Sequence, residues 1–497
     1  MLTLPDTASL LIAGGDTRIV PDPATGLTKY GCRAVPDSEV VALGSSTAST
    51  ISANGMAAAE ALRQRCQAQL QTAAPETVYA DQMQNLRAEL LRLCGCKDGD
   101  GVNAVLSASG TDMHLIVTQW LRPQRTVMIT QAETGSGLMS AVQGKHFHSD
   151  SACGESVPIG ALISDWQGDI CMLAARETDG SLRDPATVDA ECSHLVEEAA
   201  SAGQKVLLIL TDSSKTGLIF PGIGTVMRLQ QRWPEQVEVL VDACQFRLAP
   251  ATLQAFLAQQ WMVALTGSKF LAGPTFSGAL LVPSKATQRY RAYGLPPGVS
   301  QYSNAADWPI DFAARASLSD GTNFGLMLRW EAAMAELRAF RRVDEQAIQS
   351  FLQAFRHSIV TRLQLDPHFA LLPVGALDRS ELGCARQWDS EPTIFPFLLF
   401  HVDTSGRNGA QRRPLTREQT AHVYRQLSQP DQTHQQRRFQ LGQPVLCGER
   451  DGIAVSALRL CISAPMIVAA SDKAGADRWI ANTHSALDRL LQILGKD

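Results

Sequence analysis

VEVLVDACQFRLAP (237–250) and WMVALTGSKFLAGPTFSGALLVP (261–283), joined by ATLQAFLAQQ (251–260), decide how this chain is read. VEVLVDA is an apolar, β-branched run that ends on an acid, and it reads as a strand. ATLQAFLAQQ carries helix formers. WMVALTGS (261–268) and SGALLVP (277–283) read as further strands. Strand, helix and strand at this spacing are the repeating unit of an α/β domain with a largely parallel sheet.

The same alternation extends outward. VNAVLSASG (102–110) followed by TDMHLIVTQWL (111–121) reads as strand, tight turn and helix. TVMIT (126–130) and KVLLILTD (205–212) read as strands, and MSAVQGKHF (139–147) as a helix. MAAAEALRQRCQAQL (56–70) and MQNLRAELLRLCG (83–95) space their apolar residues by three and four, the helical period. Beyond residue 300, NFGLMLRWEAAMAELRAFRRV (323–343), EQAIQSFLQAFRHSIVTRLQ (345–364) and WIANTHSALDRLLQIL (479–494) are helical, while TIFPFLLFHVD (393–403) and SALRLCISAP (456–465) are strands. The organisation expected is an N-terminal arm (1–60), a large domain (61–300) and a smaller α+β domain (301–497). The last carries a solvated polar insertion, 404–440, with one helix near 415–428. GSSTASTIS (44–52) reads as an extended arm lying over a domain, with a hydroxyl-bearing lip of an active site as the alternative.

Composition excludes several classes. The 497 residues hold 44 Lys plus Arg against 49 Asp plus Glu, a net charge of −5, so no nucleic-acid partner is expected. No run approaches the roughly 20 apolar residues of a membrane helix. MLTLPDTASLLIAGGDTR lacks a cationic stretch before its short apolar run, so no signal peptide and a cytoplasmic location are expected. The 11 cysteines are irregularly spaced, as free thiols are in a reducing compartment. Cys94 and Cys96 form the one close pair, with no second pair or His cluster at zinc spacing, so no metal is expected.

Three features fall at the ends of predicted strands, the sheet edge where α/β proteins bind ligands. Ser109-Gly110-Thr111-Asp112 opens a helix, whose first amides attract a phosphate; Ser, Thr and Asp are also ordinary helix caps. Asp242 ends an apolar strand, where a carboxylate needs a partner such as a protonated ring nitrogen. Lys269 follows a strand and precedes a Gly-Pro turn; an amine so placed can form a Schiff base. Alone, each has a structural explanation: a cap, a loop carboxylate, a surface lysine. A phosphate cradle, then an acid, then a lysine 27 residues later is the set that pyridoxal 5′-phosphate (PLP) requires.

VLVDACQFRLAP followed by LTGSKFLAGPTFSGALLVP resembles the core of the class V aminotransferase family, whose members include cysteine desulfurases. That family shows Asp-x-x-Gln at a strand end, then Ser/Thr-x-His-Lys, Gly-Pro and a glycine-containing strand. The resemblance spans roughly residues 80–330. It implies fold type I: a large domain with a mostly parallel seven-stranded sheet and a smaller α+β C-terminal domain. It implies that Lys269 holds the cofactor as a Schiff base and shuttles the Cα proton, and that Asp242 keeps the pyridine nitrogen protonated. Gln245 would lie near the cofactor's phenolic oxygen. Thr111 and the Gly110 amide, aided by Thr266 and Ser268, would hold the phosphate. Thr322, in DGTNFG (320–325), would reach a phosphate in a neighbouring subunit, so a homodimer is implied. Arg459 falls where the family keeps an arginine for the substrate carboxylate.

The chain also departs from the pattern. Ser268 replaces the usual His before the lysine. Ser214-Lys215-Thr216-Gly217 stands for Asn-Glu-Thr-Gly, which gives Ser214 the Asn position. Thr134 stands where an aromatic ring stacks on the cofactor, with His146 or Phe147 as possible substitutes. Cys384 and Cys447 are the loop-like cysteines available for persulfide chemistry, in contexts unlike the family's loop. Glu133 and His146 read as structural, with acid–base help as the alternative. The activity expected is PLP-dependent transamination of an amino acid. A PLP lyase acting at Cβ, including C–S cleavage, is the alternative, and a non-catalytic PLP-fold scaffold is the alternative of another class.

Overall fold

The computed structural model describes residues 3–44, 49–403, 411–430 and 437–495. Residues 45–48 of the hydroxyl-rich stretch, and 404–410 and 431–436 of the polar insertion, lie outside the described residues.

The strands, in chain order, are β1 (Val40–Leu43), β2 (Asn103–Ser107), β3 (Arg125–Ile129), β4 (Asp169–Leu173), β5 (Val206–Asp212), β6 (Ile219–Phe220) and β7 (Val237–Asp242). They continue with β8 (Met262–Thr266), β9 (Gly278–Val282), β10 (Phe369–Leu371), β11 (Ile394–Asp403), β12 (Gln411–Pro414), β13 (Arg438–Arg450) and β14 (Ile453–Cys461).

The large sheet has the order β2-β9-β8-β7-β5-β3-β4. Its pairings are parallel from β4 through β8, and β9 runs antiparallel to both neighbours. Strands β5, β8 and β9 are buried at every residue, because helices cover both faces of the sheet. The expected seven strands cross the sheet, and the two-residue β6 adds an eighth by folding back on Thr211 and Asp212. Gly217, at φ +94°, makes that reversal, and a two-residue strand leaves no periodic trace in sequence. The helix expected over 139–147 spans Leu138–Val142 only. Gly144, at φ +74°, ends it, and His146 and Phe147 follow outside it.

The second sheet has the order β1-β13-β14-β11-β10, with β12 on β11. Its strand β1 comes from the N-terminal arm and pairs parallel with β13, Val40 opposite Arg438. The helix Arg417–Leu427 lies in the polar insertion, where one was expected.

A single helix, Phe324–Phe340, ties these parts together. It is buried along nearly its whole length and packs on the helices Ala53–Gln69 and Pro75–Leu93. Arg329 on this helix is completely buried. Its guanidinium donates to the carbonyls of Phe276 (2.8 Å), Leu11 (3.2 Å), Ala13 (2.6 Å) and Gly14 (2.8 Å). One side chain thus fastens the N-terminal arm beside the segment that follows Lys269. Among the described residues no helix is long and apolar enough to cross a membrane.

Candidate active site

The turn after β2, the loops after β3 and β5, and the ends of β7 and β8 open onto one cavity at the carboxyl edge of the large sheet. Gly110, Thr111, Thr134, Ser214, Asp242, Gln245, Thr266, Ser268, Lys269 and Arg459 all line it. Thr322 does not; it is exposed in the loop before the Phe324 helix.

The first wall is the start of the helix Gly110–Leu121. Ser109 caps it by accepting from the Asp112 amide, which leaves the amides of the first turn facing the cavity. A Cβ on Gly110 would stand 2.8 Å from Cys244 Sγ, so only glycine lets the helix start approach the end of β7. Thr266, at the end of β8, donates its hydroxyl to the Cys244 carbonyl at 2.6 Å and locks the two strand ends together.

Asp242 accepts from the Cys244 amide at 3.2 Å, and its second oxygen lies 3.6 Å from His114 Nε2. His114 Nδ1 is 2.6 Å from the Gly110 carbonyl, which can only accept, so the proton on that side is fixed and Nε2 faces Asp242. Burial works to raise the Asp242 pKa, but His114 and the Lys269 ammonium more than offset it, and the carboxyl sits below its ordinary range. It therefore stays ionised near neutral pH.

Lys269 sits in the turn after β8. A Cβ on Gly267 would come within 2.5 Å of Ala333 Cβ, so this turn rests directly on the Phe324–Phe340 helix. Ser49, from the edge of the hydroxyl-rich stretch, is buried and donates to the Ser268 carbonyl at 2.9 Å.

Across the cavity, Glu133 accepts from Arg176 (3.0 Å), Ser214 (2.7 Å) and Thr216 (2.8 Å). The Ser214 hydroxyl proton is thus committed to Glu133, although the residue lines the cavity. Arg459 is buried and donates to the Gln443 carbonyl (2.9 and 3.2 Å) and the Lys215 carbonyl (3.2 Å). That uses three of its five N–H groups and leaves two.

Four buried polar atoms on cavity-lining residues, His114 Nε2, Thr134 Oγ1, Thr211 Oγ1 and Gln245 Oε1, have no hydrogen-bond partner among the described residues. Each would cost about 1–3 kcal/mol if left so. The donor set and the glycine-lined helix start fit a polar, phosphate-bearing ligand.

Several lining residues carried no site signal in the sequence. Arg18 and Tyr30 come from the N-terminal arm, and Gln443 from β13. Arg18 is held by Asp16 and stacks over the Phe276 ring at 4.6 Å. His114 was within reach of sequence reasoning, because it lies one helical turn after Gly110 on the same face. His146 and Phe147 lie outside the cavity lining, and His146 bonds the Tyr302 hydroxyl at 2.7 Å. Cys384 and Cys447 also lie outside it; Cys447 is buried, and burial pushes its thiol up to about 11.

No family model and no curated protein matches the sequence. Solved structures do match the fold. A NifS-like protein from Rickettsia africae aligns over 90% of this chain and 99% of its own, at 11% identity and a TM-score of 0.52. The cystine C-S lyase C-DES, in complex with its product cysteine persulfide, aligns over 88% and 95%, at 15% identity and a TM-score of 0.52. Oryza sativa TDC with PLP aligns over 92% and 83%, at 12% identity and a TM-score of 0.51. From its strand order and these likenesses, the chain has the fold type I architecture of PLP-dependent enzymes.

Proposed function

We propose that this chain is a PLP-dependent enzyme acting at the α-carbon of an amino acid. The observation that carries this reading is the convergence of Lys269, Asp242 and the amide end of the Gly110 helix on one cavity, whose lining residues carry four buried polar atoms without a partner among the described residues. PLP, when bound, supplies an electron sink that stabilises negative charge at the substrate Cα.

This chain's residues do the rest. The Lys269 amine would hold the cofactor through its aldehyde and, when free of it, would move the proton at Cα. Asp242, kept ionised, would accept a hydrogen bond from the pyridine N–H. The amides of Gly110 and Thr111, with the Thr111 hydroxyl, hold the phosphate, and Thr266 and Ser268 stand beside it. Thr134 would face the ring and Gln245 its phenolic oxygen. Ser214 orients Glu133 and bounds the cavity. The two free N–H groups of Arg459 receive the substrate carboxylate. Thr322, exposed in one chain, reaches the site of a second copy in a homodimer.

Transamination is the first reading. The second, elimination or C–S cleavage at Cβ, is supported by the likeness to a cystine C-S lyase. Both begin with removal of the same Cα proton, and the fold alone does not choose between them. Purified protein is expected to show an absorbance band near about 420 nm, lost on adding its amino acid. A keto acid as product supports the first reading; ammonia with pyruvate, or sulfide, supports the second. Protein that binds no PLP overturns both.

A further inference from the structure

Lys215 enters the same cavity from the loop after β5, at a position where the class V pattern has Glu. Its charged neighbours come from three elements: Arg459 on β14, Lys269 after β8, and Glu133 after β3. Two of them repel it. The third, Glu133, is already filled by Arg176, Ser214 and Thr216. The Lys215 ammonium has no carboxylate of its own among the described residues.

The cationic excess has a direction. In the reading above, Asp242 is taken by the ring nitrogen, Lys269 by the cofactor, and Arg459 by one substrate carboxylate. The phosphate is met by helix amides and hydroxyls. The Lys215 ammonium remains without an anion in that reading, and the residue lines the cavity beside Arg459, which donates to its backbone carbonyl at 3.2 Å. Lys215 is half-buried, and an ammonium held there beside two other cations without an anion is unfavourable, so the site suits an anion that arrives with the substrate.

Building on that function, we propose that Lys215 is a specificity-determining residue that binds a second anionic group, so that the substrate is an amino acid with an acidic side chain. Arg459 then receives one carboxylate and Lys215 the other, a two-point recognition that orients Cα toward Lys269.

Burial, followed by repulsion from Arg459 and Lys269, pushes the Lys215 amine down to about 8, with Glu133 pulling the other way. The amine is charged at pH 7 and discharges just above. Affinity for a dianion therefore falls as rising pH discharges this amine.

The test is calorimetric titration of the holoenzyme with succinate and with propionate, unreactive acids that differ by one carboxylate. Wild type is expected to bind succinate at least about tenfold more tightly at pH 7, and the gap is expected to narrow as pH rises. Lys215→Met should abolish the preference, and Lys215→Arg should keep it and extend it above pH 8. Equal binding of the two acids by wild type overturns the inference whether or not a variant folds. So does a preference that survives Lys215→Met. Protein without the 420 nm band fails the proposed function instead, and the two failures are thereby told apart.

Discussion

The floor and the far wall of the cavity are assembled in opposite ways. The floor is made of the first residue of a helix, the last residue of a strand and a residue three steps beyond one: Gly110, Asp242 and Lys269. Each is positioned by the element it ends. The wall is made of Arg18 and Tyr30 from the arm, with Gln443 and Arg459 from the second sheet. Arg329 grips the arm and β1 pairs with β13, and these contacts help to bring the wall to the cavity. Under the proposed function the floor would hold the groups that act at Cα, and the wall would contribute Arg459, which would hold the substrate by its carboxylate.

Variants of the floor should abolish chemistry, and the largest loss is expected there. Lys269→Ala should eliminate turnover, and borohydride should no longer fix the cofactor to the protein. A variant that keeps both breaks the comparison at its root. Asp242→Asn should still bind the cofactor but lose about 10²–10³-fold in turnover, the scale of removing one preorganised charge; near-normal rates would refute the role of the carboxylate.

Arg329→Met tests the wall. It strands the carbonyls of Phe276, Leu11, Ala13 and Gly14, and should destabilise the protein by roughly 3 kcal/mol in urea melts. Proteolytic cleavage within the first forty residues should rise with it. Unchanged cleavage would mean that the arm is seated by other contacts.

The smallest effect probes where wall meets floor. Burial raises the Asp112 pKa to about 6, while the nearby charge of Arg18 pulls it down. The folded carboxyl therefore holds its proton more tightly than the unfolded one, and stability should fall as pH rises from about 4 to 6. Asp112→Asn should flatten that decline by on the order of 1 kcal/mol. Arg18→Met should move it to higher pH. Asp307, also buried and raised to about 6, supplies the part of the slope that Asp112→Asn leaves.

Sequence reached the floor because local rules govern it. An acid after VEVLV and a lysine after VALTGS are anomalies at the ends of apolar runs, and anomalies of that kind are readable one segment at a time. Arg459 was reachable through the resemblance alone. Arg18 and Tyr30 were not reachable, since nothing in the composition of the arm says where it docks; that depends on a buried arginine more than three hundred residues away. Lys215 stood inside a quoted motif yet drew no attention, because its meaning comes from neighbours on three separate elements. The two-residue β6 and the truncated helix before Gly144 were missed because turn geometry overrode the apolar pattern.

The seat of the arm has a consequence for how the protein is born. Asp37 holds Arg438 at 2.6 Å, and the two are 401 residues apart. A ribosome releases the first of them long before the second. The large sheet and its reactive groups can collapse while the arm still has nowhere to lie, so nascent chains pass through an interval with an open, unshielded mouth.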